Sequence, residues 1–88
     1  MKVKVGTFAK SKAGHDWNQI YVIIDCDDEY VYLADGKNRT VDRPKKKKYK
    51  HIQPILCMNE TIRAKIENNN LLSNEEIKKA IKDYKAED

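Results

Sequence analysis

Between Val5 and Leu56 the apolar residues fall in short runs broken by turn residues, and from Asn59 onward their spacing becomes helical. That change of period splits the chain into a β part and a helical part. Val5, Thr7 and Ala9 alternate with Gly6, Phe8 and Lys10, which predicts a strand ending in the loop 11–18. Ile20, Tyr21, Val22, Ile23 and Ile24 are β-branched or aromatic and make the clearest strand. An acidic connection, 25–29, leads to its hairpin partner over Tyr30, Val31, Tyr32, Leu33 and Ala34. Asp35-Gly36 marks a turn, Arg39-Thr40-Val41 a short strand, and 52–56 a last strand that Pro54 confines to an edge or a bulge. Five short strands within about 55 residues predict a small closed or half-closed barrel, because closure removes exposed edges.

The helical part begins with a short helix at 59–67, on which Ile62 and Ile66 lie one turn apart, and the Asn68-Asn69-Asn70 run ends it. Ser73-Asn74-Glu75-Glu76 is a capping box. The helix it starts places Ile77, Ala80, Ile81 and Tyr84 at i, i+3, i+4 and i+7, an apolar stripe that must pack on something. Docking on the first helix through Ile62, Ile66, Leu71 and Leu72 is the simpler outcome; docking on a second protein is the other. The expected organisation is a barrel over 1–56 and a helical extension over 57–88.

A chain of 88 residues has room for one small core. That size disfavours an enzyme, which needs a water-excluding pocket with a supporting shell, and no nucleophile, base and orienting group stand in a recognisable relation. Cys26 and Cys57 form no CxxC pair and read as half-buried apolar residues, so neither a metal nor a cofactor is called for. The acids Asp25, Asp27, Asp28 and Glu29 lack calcium-loop spacing and read as a solvated turn. No signal-peptide or membrane-spanning run is present, and a cytoplasmic location with reduced thiols is expected.

Charge is the functional clue. Before Asn59 there are twelve Lys or Arg against seven Asp or Glu, a net +5; from Asn59 onward there are six against seven, a net −1, so the basic character belongs to the first part. Within 36–50 eight cations (Lys37, Arg39, Arg43, Lys45, Lys46, Lys47, Lys48, Lys50) face one acid, Asp42, with Pro44 and Tyr49 interleaved. Beside a small β domain this is the electrostatic footprint of RNA binding; a solvated charge run is the plain alternative. Arg39 and Arg43 suit two-bond grips on phosphate. His51 reads as a surface histidine.

The segment Ala13-Gly14-His15-Asp16-Trp17-Asn18-Gln19-Ile20-Tyr21-Val22-Ile23-Ile24-Asp25 resembles the KOW motif, with Gly14 at its first loop glycine. Leu33-Ala34-Asp35-Gly36, followed by Val41, Arg43 and the basic stretch, is similar to the archaeal and eukaryotic large-subunit ribosomal protein L-fourteen-e family and its bacterial KOW domain-containing relatives. The resemblance covers about residues 1–56 and implies an SH3-like barrel. Many KOW motifs have glycine where this chain has Asn18 and Tyr21; Asn tolerates a left-handed backbone, whereas Tyr21 bars close approach of another chain. The resemblance does not extend to the helical segment from Asn59 onward.

In KOW barrels the first loop commonly meets RNA, which implies contacts from Lys10, Lys12, Gly14, His15, Trp17 and Asn18. Gly14 is equally a plain turn glycine. Trp17 either stacks on an unpaired base or lids the core. The expected function is non-catalytic binding of structured RNA, ribosomal RNA for example, in association with the ribosome or translation. The alternative is a protein-interaction adaptor of the transcription or translation machinery.

Overall fold

A computed structural model describes residues 3–87. Five antiparallel strands, β1 (Thr7–Ser11), β2 (Ile20–Cys26), β3 (Tyr30–Ala34), β4 (Lys45–Lys48) and β5 (Ile52–Met58), are followed by helices α1 (Glu60–Glu67) and α2 (Asn74–Ala86). The sheet order is β4-β3-β2-β1-β5. β4 and β5 thus stand at opposite edges, yet only a 3₁₀ turn, Tyr49–His51, separates them in sequence. In a flat sheet those edges would lie roughly 19 Å apart, at about 4.8 Å per strand, and three 3₁₀ residues rise only about 6 Å. The sheet must therefore curl back on itself. Register shifts at Thr7/Phe8 in β1 and between Ile23 and Asp25 in β2 supply the extra local twist.

Curling gives the sheet two cores. On the inner face Ala9, Tyr21, Ile23, Val31, Leu33 and Ile52 are buried together. On the outer face Phe8, Ile20, Val22 and Ala34 are covered by Ile62 of α1 and by Ile77, Ala80 and Ile81 of α2. β2 is buried on both faces, which explains why its apolar run is unbroken rather than alternating.

The apolar stripe of α2 packs on both α1 and the sheet, and Tyr84 stacks on Phe8 at 4.8 Å between ring centroids. Ile62, Ile66 and Leu72 join this packing as expected, whereas Leu71 is 91% exposed. Ile77, Ala80 and Ile81 of the stripe are thereby buried by the chain itself, and Tyr84 is half-buried. No helix among the described residues is long and apolar enough to cross a membrane.

The expected strand at Arg39-Thr40-Val41 does not form. Its place in the sheet is taken by β4, which pairs Lys45 to Lys48 with Leu33 to Tyr30. Lysine is a poor strand former, but tertiary partners override propensity. The chain from Asp35 to Val41 instead folds into a turn, in which the Asp35 carboxylate accepts from the amides of Lys37 (2.9 Å) and Arg39 (2.8 Å). β1 starts at Thr7 rather than Val5 because Gly6, at φ +98°, turns the chain beneath Ile62 and Ile66. Pro54 does lie in an edge strand, and the capping box at Ser73 forms with both of its bonds. Cys26 is half-buried as expected, but Cys57 is exposed on β5.

The turn at Gly36 fixes where α2 begins. Gly36 is buried at φ +79°, and a Cβ there would collide with the Asn74 backbone carbonyl and lie 2.9 Å from Lys78 Cγ. From the same helix end, Asn74 Oδ1 accepts from the Val41 amide at 2.9 Å. Gly36→Ala should therefore lower stability by about 1–3 kcal/mol, through a strained φ and a displaced α2. Urea unfolding followed by circular dichroism measures it, and an unchanged midpoint would refute the close approach.

Candidate functional site

The loop 12–18 is a closed turn rather than an open excursion. Gly14 and Asn18 take left-handed φ values of +84° and +74°, so the Asn fills the left-handed role anticipated for it. The Trp17 amide donates to the Gly14 carbonyl (3.2 Å), the Asn18 amide to the Ser11 carbonyl (2.8 Å) and the Gln19 amide to the Asp16 carbonyl (2.9 Å). A Cβ on Gly14 would meet nothing closer than 3.7 Å, so its backbone angle, not crowding, is what calls for glycine.

This turn directs Asp16 inward. Its carboxylate accepts from the Ser11 hydroxyl (2.9 Å) and the Tyr21 hydroxyl (2.8 Å). Lys47 Nζ lies 3.1 Å from Oδ1 and also donates to the Ala13 carbonyl at 2.6 Å, while Lys45 Nζ is 3.4 Å from Oδ2. Burial alone would raise the Asp16 pKa, but hydrogen bonds from Tyr21, Lys47 and Ser11 outweigh it and hold the carboxyl far below the usual range. Burial, and then the adjacent carboxylate, push the Tyr21 phenol well above its ordinary value. Across the neutral range the carboxylate is therefore ionised and the phenol protonated.

Strand geometry then divides the lysine run. Successive side chains of a strand point to opposite faces. Lys45 and Lys47 share the inner face with Leu33 and Val31, and Lys47 is only 9% exposed. With its ammonium held by Asp16 and Ala13, Lys47 is withdrawn from the expected set of freely accessible cations, and Lys45 is half-buried beside it. Lys46 and Lys48 share the other face with Tyr32 and Tyr30, and Lys46 Nζ stands 4.2 Å from the Tyr30 ring centroid. The neighbouring Tyr32 hydroxyl donates to Asp27 (2.8 Å), whose carboxyl is lowered first by the amides of Glu29 and Tyr30 and then by this phenol.

The remaining expected residues lie at the surface. Lys10 is half-exposed on β1, and Lys12, Gly14, His15 and Asn18 are exposed in the loop. Trp17 is 60% exposed, with Lys12 Nζ 5.9 Å from its ring centroid, so it does not lid the core. Lys37, Arg39 and Arg43 are exposed in the turn before β4, Lys50 is exposed on the 3₁₀ turn, and His51 beside it is half-buried. The Lys12 amide donates to the His51 carbonyl at 2.7 Å, which ties the loop to that turn.

Sequence reasoning missed Asp16 as the organiser of the loop. The signal available was an acid between two left-handed positions, followed five residues later by a tyrosine whose hydroxyl reaches back. No protein-family model matches the chain, and no curated protein is significantly similar to it.

Asp16→Asn tests the network. Folding lowers the Asp16 pKa, so the stability it contributes is complete above the unfolded value of about 4 and drains away as the pH falls below it. Removing the charge strands the Lys47 ammonium and should cost on the order of 3 kcal/mol at pH 7. The loss should shrink at pH 3. Urea melts at both pH values would reject the assignment if the penalty were the same.

Proposed function

We propose that the chain is a non-catalytic RNA-binding protein, built on an SH3-like barrel of the KOW kind and acting in association with the ribosome or translation. The observation that carries this reading is the set of six exposed cations, Lys37, Arg39, Arg43, Lys46, Lys48 and Lys50, none of which has a carboxylate within salt-bridge distance among the described residues. Such cations are free to exchange their counterions for phosphates. The exposed Trp17, steadied by a turn that is hydrogen-bonded across its base, supports base stacking alongside them. A curled five-stranded sheet whose edges are joined through a single 3₁₀ turn suits a barrel of this kind.

Phosphate contacts dominate affinity on this view. With about four phosphates neutralised, the logarithm of the association constant for single-stranded RNA should fall with the logarithm of salt concentration at a slope near −3. Fluorescence anisotropy across a salt series measures it. A flat response would favour a protein partner, for which the apolar groove of about 510 Å³ between Val5, Ile24, Val41, Ile66 and Leu72 is one available surface.

The divided lysine run gives a sharper test. Lys46→Gln with Lys48→Gln should weaken RNA binding while moving stability by less than about 0.5 kcal/mol, as exposed substitutions do. Lys45→Gln with Lys47→Gln should lower stability first, because it unpairs Asp16. Binding and thermal midpoint measured on both double variants check the assignment, and equal binding losses at unchanged stability would refute the inward placement of Lys45 and Lys47.

A further inference from the structure

Residues 59–88 carry a net −1, yet their charges are sorted by helix face. Lys78, Lys82 and Lys85 fall at i, i+4 and i+7 on α2, the spacing that aligns side chains along one face. That face borders a groove of about 530 Å³ whose other wall is Lys37 and Asn38, from the turn after β3. Gln19, the residue directly after the Trp17-Asn18 turn, also lines it, so the groove runs up to the aromatic loop.

One carboxylate, Asp35, lines the groove, and its Oδ1 is engaged by the Lys37 and Arg39 amides. Lys78 is paired with Glu75 at 2.8 Å. Lys37, Lys82 and Lys85 are exposed and have no carboxylate within salt-bridge distance among the described residues. Lys79, which lies off this face, is instead paired with Asp83 at 3.1 Å.

We propose that α2 forms part of the RNA-binding surface, with Lys82 and Lys85 on one wall of this groove and Lys37 on the other gripping a phosphodiester backbone. The inference rests on the RNA-binding reading above and extends it to a helix outside the KOW-like segment. The groove is polar and cationic, which suits a polyanion. Lys82 and Lys85, three helical residues apart, are separated by about 4.5 Å along the helix axis, comparable with the roughly 3.4 Å between successive phosphates on one strand of a duplex. The lysine row and a sugar–phosphate strand are thus commensurate, and a strand entering past Gln19 would bring its bases toward Trp17.

The test uses the full chain with two probes, a fluorescein-labelled 20-nucleotide single-stranded RNA and a 16-base-pair RNA hairpin, each titrated across a salt series. Lys82→Gln with Lys85→Gln should flatten the single-strand slope by about 1.4, which over a decade of salt corresponds to about 25-fold weaker binding at the low end. Lys79→Gln should bind as the unaltered chain does, and Lys82→Arg with Lys85→Arg should retain affinity with an unchanged thermal midpoint. If the Lys82 and Lys85 neutralisation leaves affinity and slope intact while Lys46→Gln with Lys48→Gln weakens both, the α2 assignment falls and the RNA-binding reading stands. An equal loss in Lys79→Gln would show an effect of net charge alone and would also overturn it. Failure of the unaltered chain to bind either RNA, including the case in which it binds polyglutamate instead, overturns both.

Discussion

The Asp16 carboxylate joins three strands: the end of β1 through Ser11, the start of β2 through Tyr21, and, from about thirty residues further along the chain, β4 through Lys45 and Lys47. A strand of four lysines has little reason to leave water by itself. It is admitted to the sheet because the two ammonium groups on its inner face meet a carboxylate already oriented by two hydroxyls and a closed turn. The same contact immobilises the loop, since Lys47 also holds the Ala13 carbonyl. Strand and loop therefore order each other, and Trp17 is carried on a turn that is already fixed by its own hydrogen bonds.

Once β4 is seated, the short 3₁₀ connection to β5 forces the sheet to curl, and curling creates an inner core that needs no helix to cover it. The outer face still requires a lid. α2 supplies it with Ile77, Ala80 and Ile81, of which each isoleucine contributes about 1.5–3 kcal/mol when fully buried. A chain of this size buries little surface on folding, so both cores matter to its stability. The helices are thus part of the fold's stability, although the sequence marks them off by a change of period.

Much of this was legible in the pattern of residues. The hairpin of β2 and β3, the edge position of the strand holding Pro54, the capping box at Ser73 and the stripe of α2 all follow from local rules that tertiary packing does not oppose. β4 was illegible for the converse reason, because its strand character comes from Asp16 and from β3, not from its own side chains. A short β-branched stretch at Arg39-Thr40-Val41 looked the better strand, but the Asp35 carboxylate caps the Lys37 and Arg39 amides and commits that segment to a turn. The role of Trp17 was undecidable in sequence because a ring of its size serves a core or a surface equally well. The fold excludes the core role, since the two cores close without the ring.

Counting charge along the chain proved the weakest guide to the candidate surface, because folding sorts charge by face and not by segment. The densest run, Lys45 to Lys48, alternates between an ion-paired interior and an exposed face that includes Tyr30 and Tyr32, so only half of it is free. A segment that sums to −1 contributes a row of lysines to one wall of a groove, because its acids Glu75 and Asp83 engage Lys78 and Lys79 while Lys82 and Lys85 stay unpaired among the described residues. A polyanion at that groove meets the local charge, screened over roughly 10 Å at 0.1 M salt, and not the segment's sum. On the proposed reading such contacts fall to the two lysines that are unpaired among the described residues, and the near-neutral composition of the helices is no argument against them.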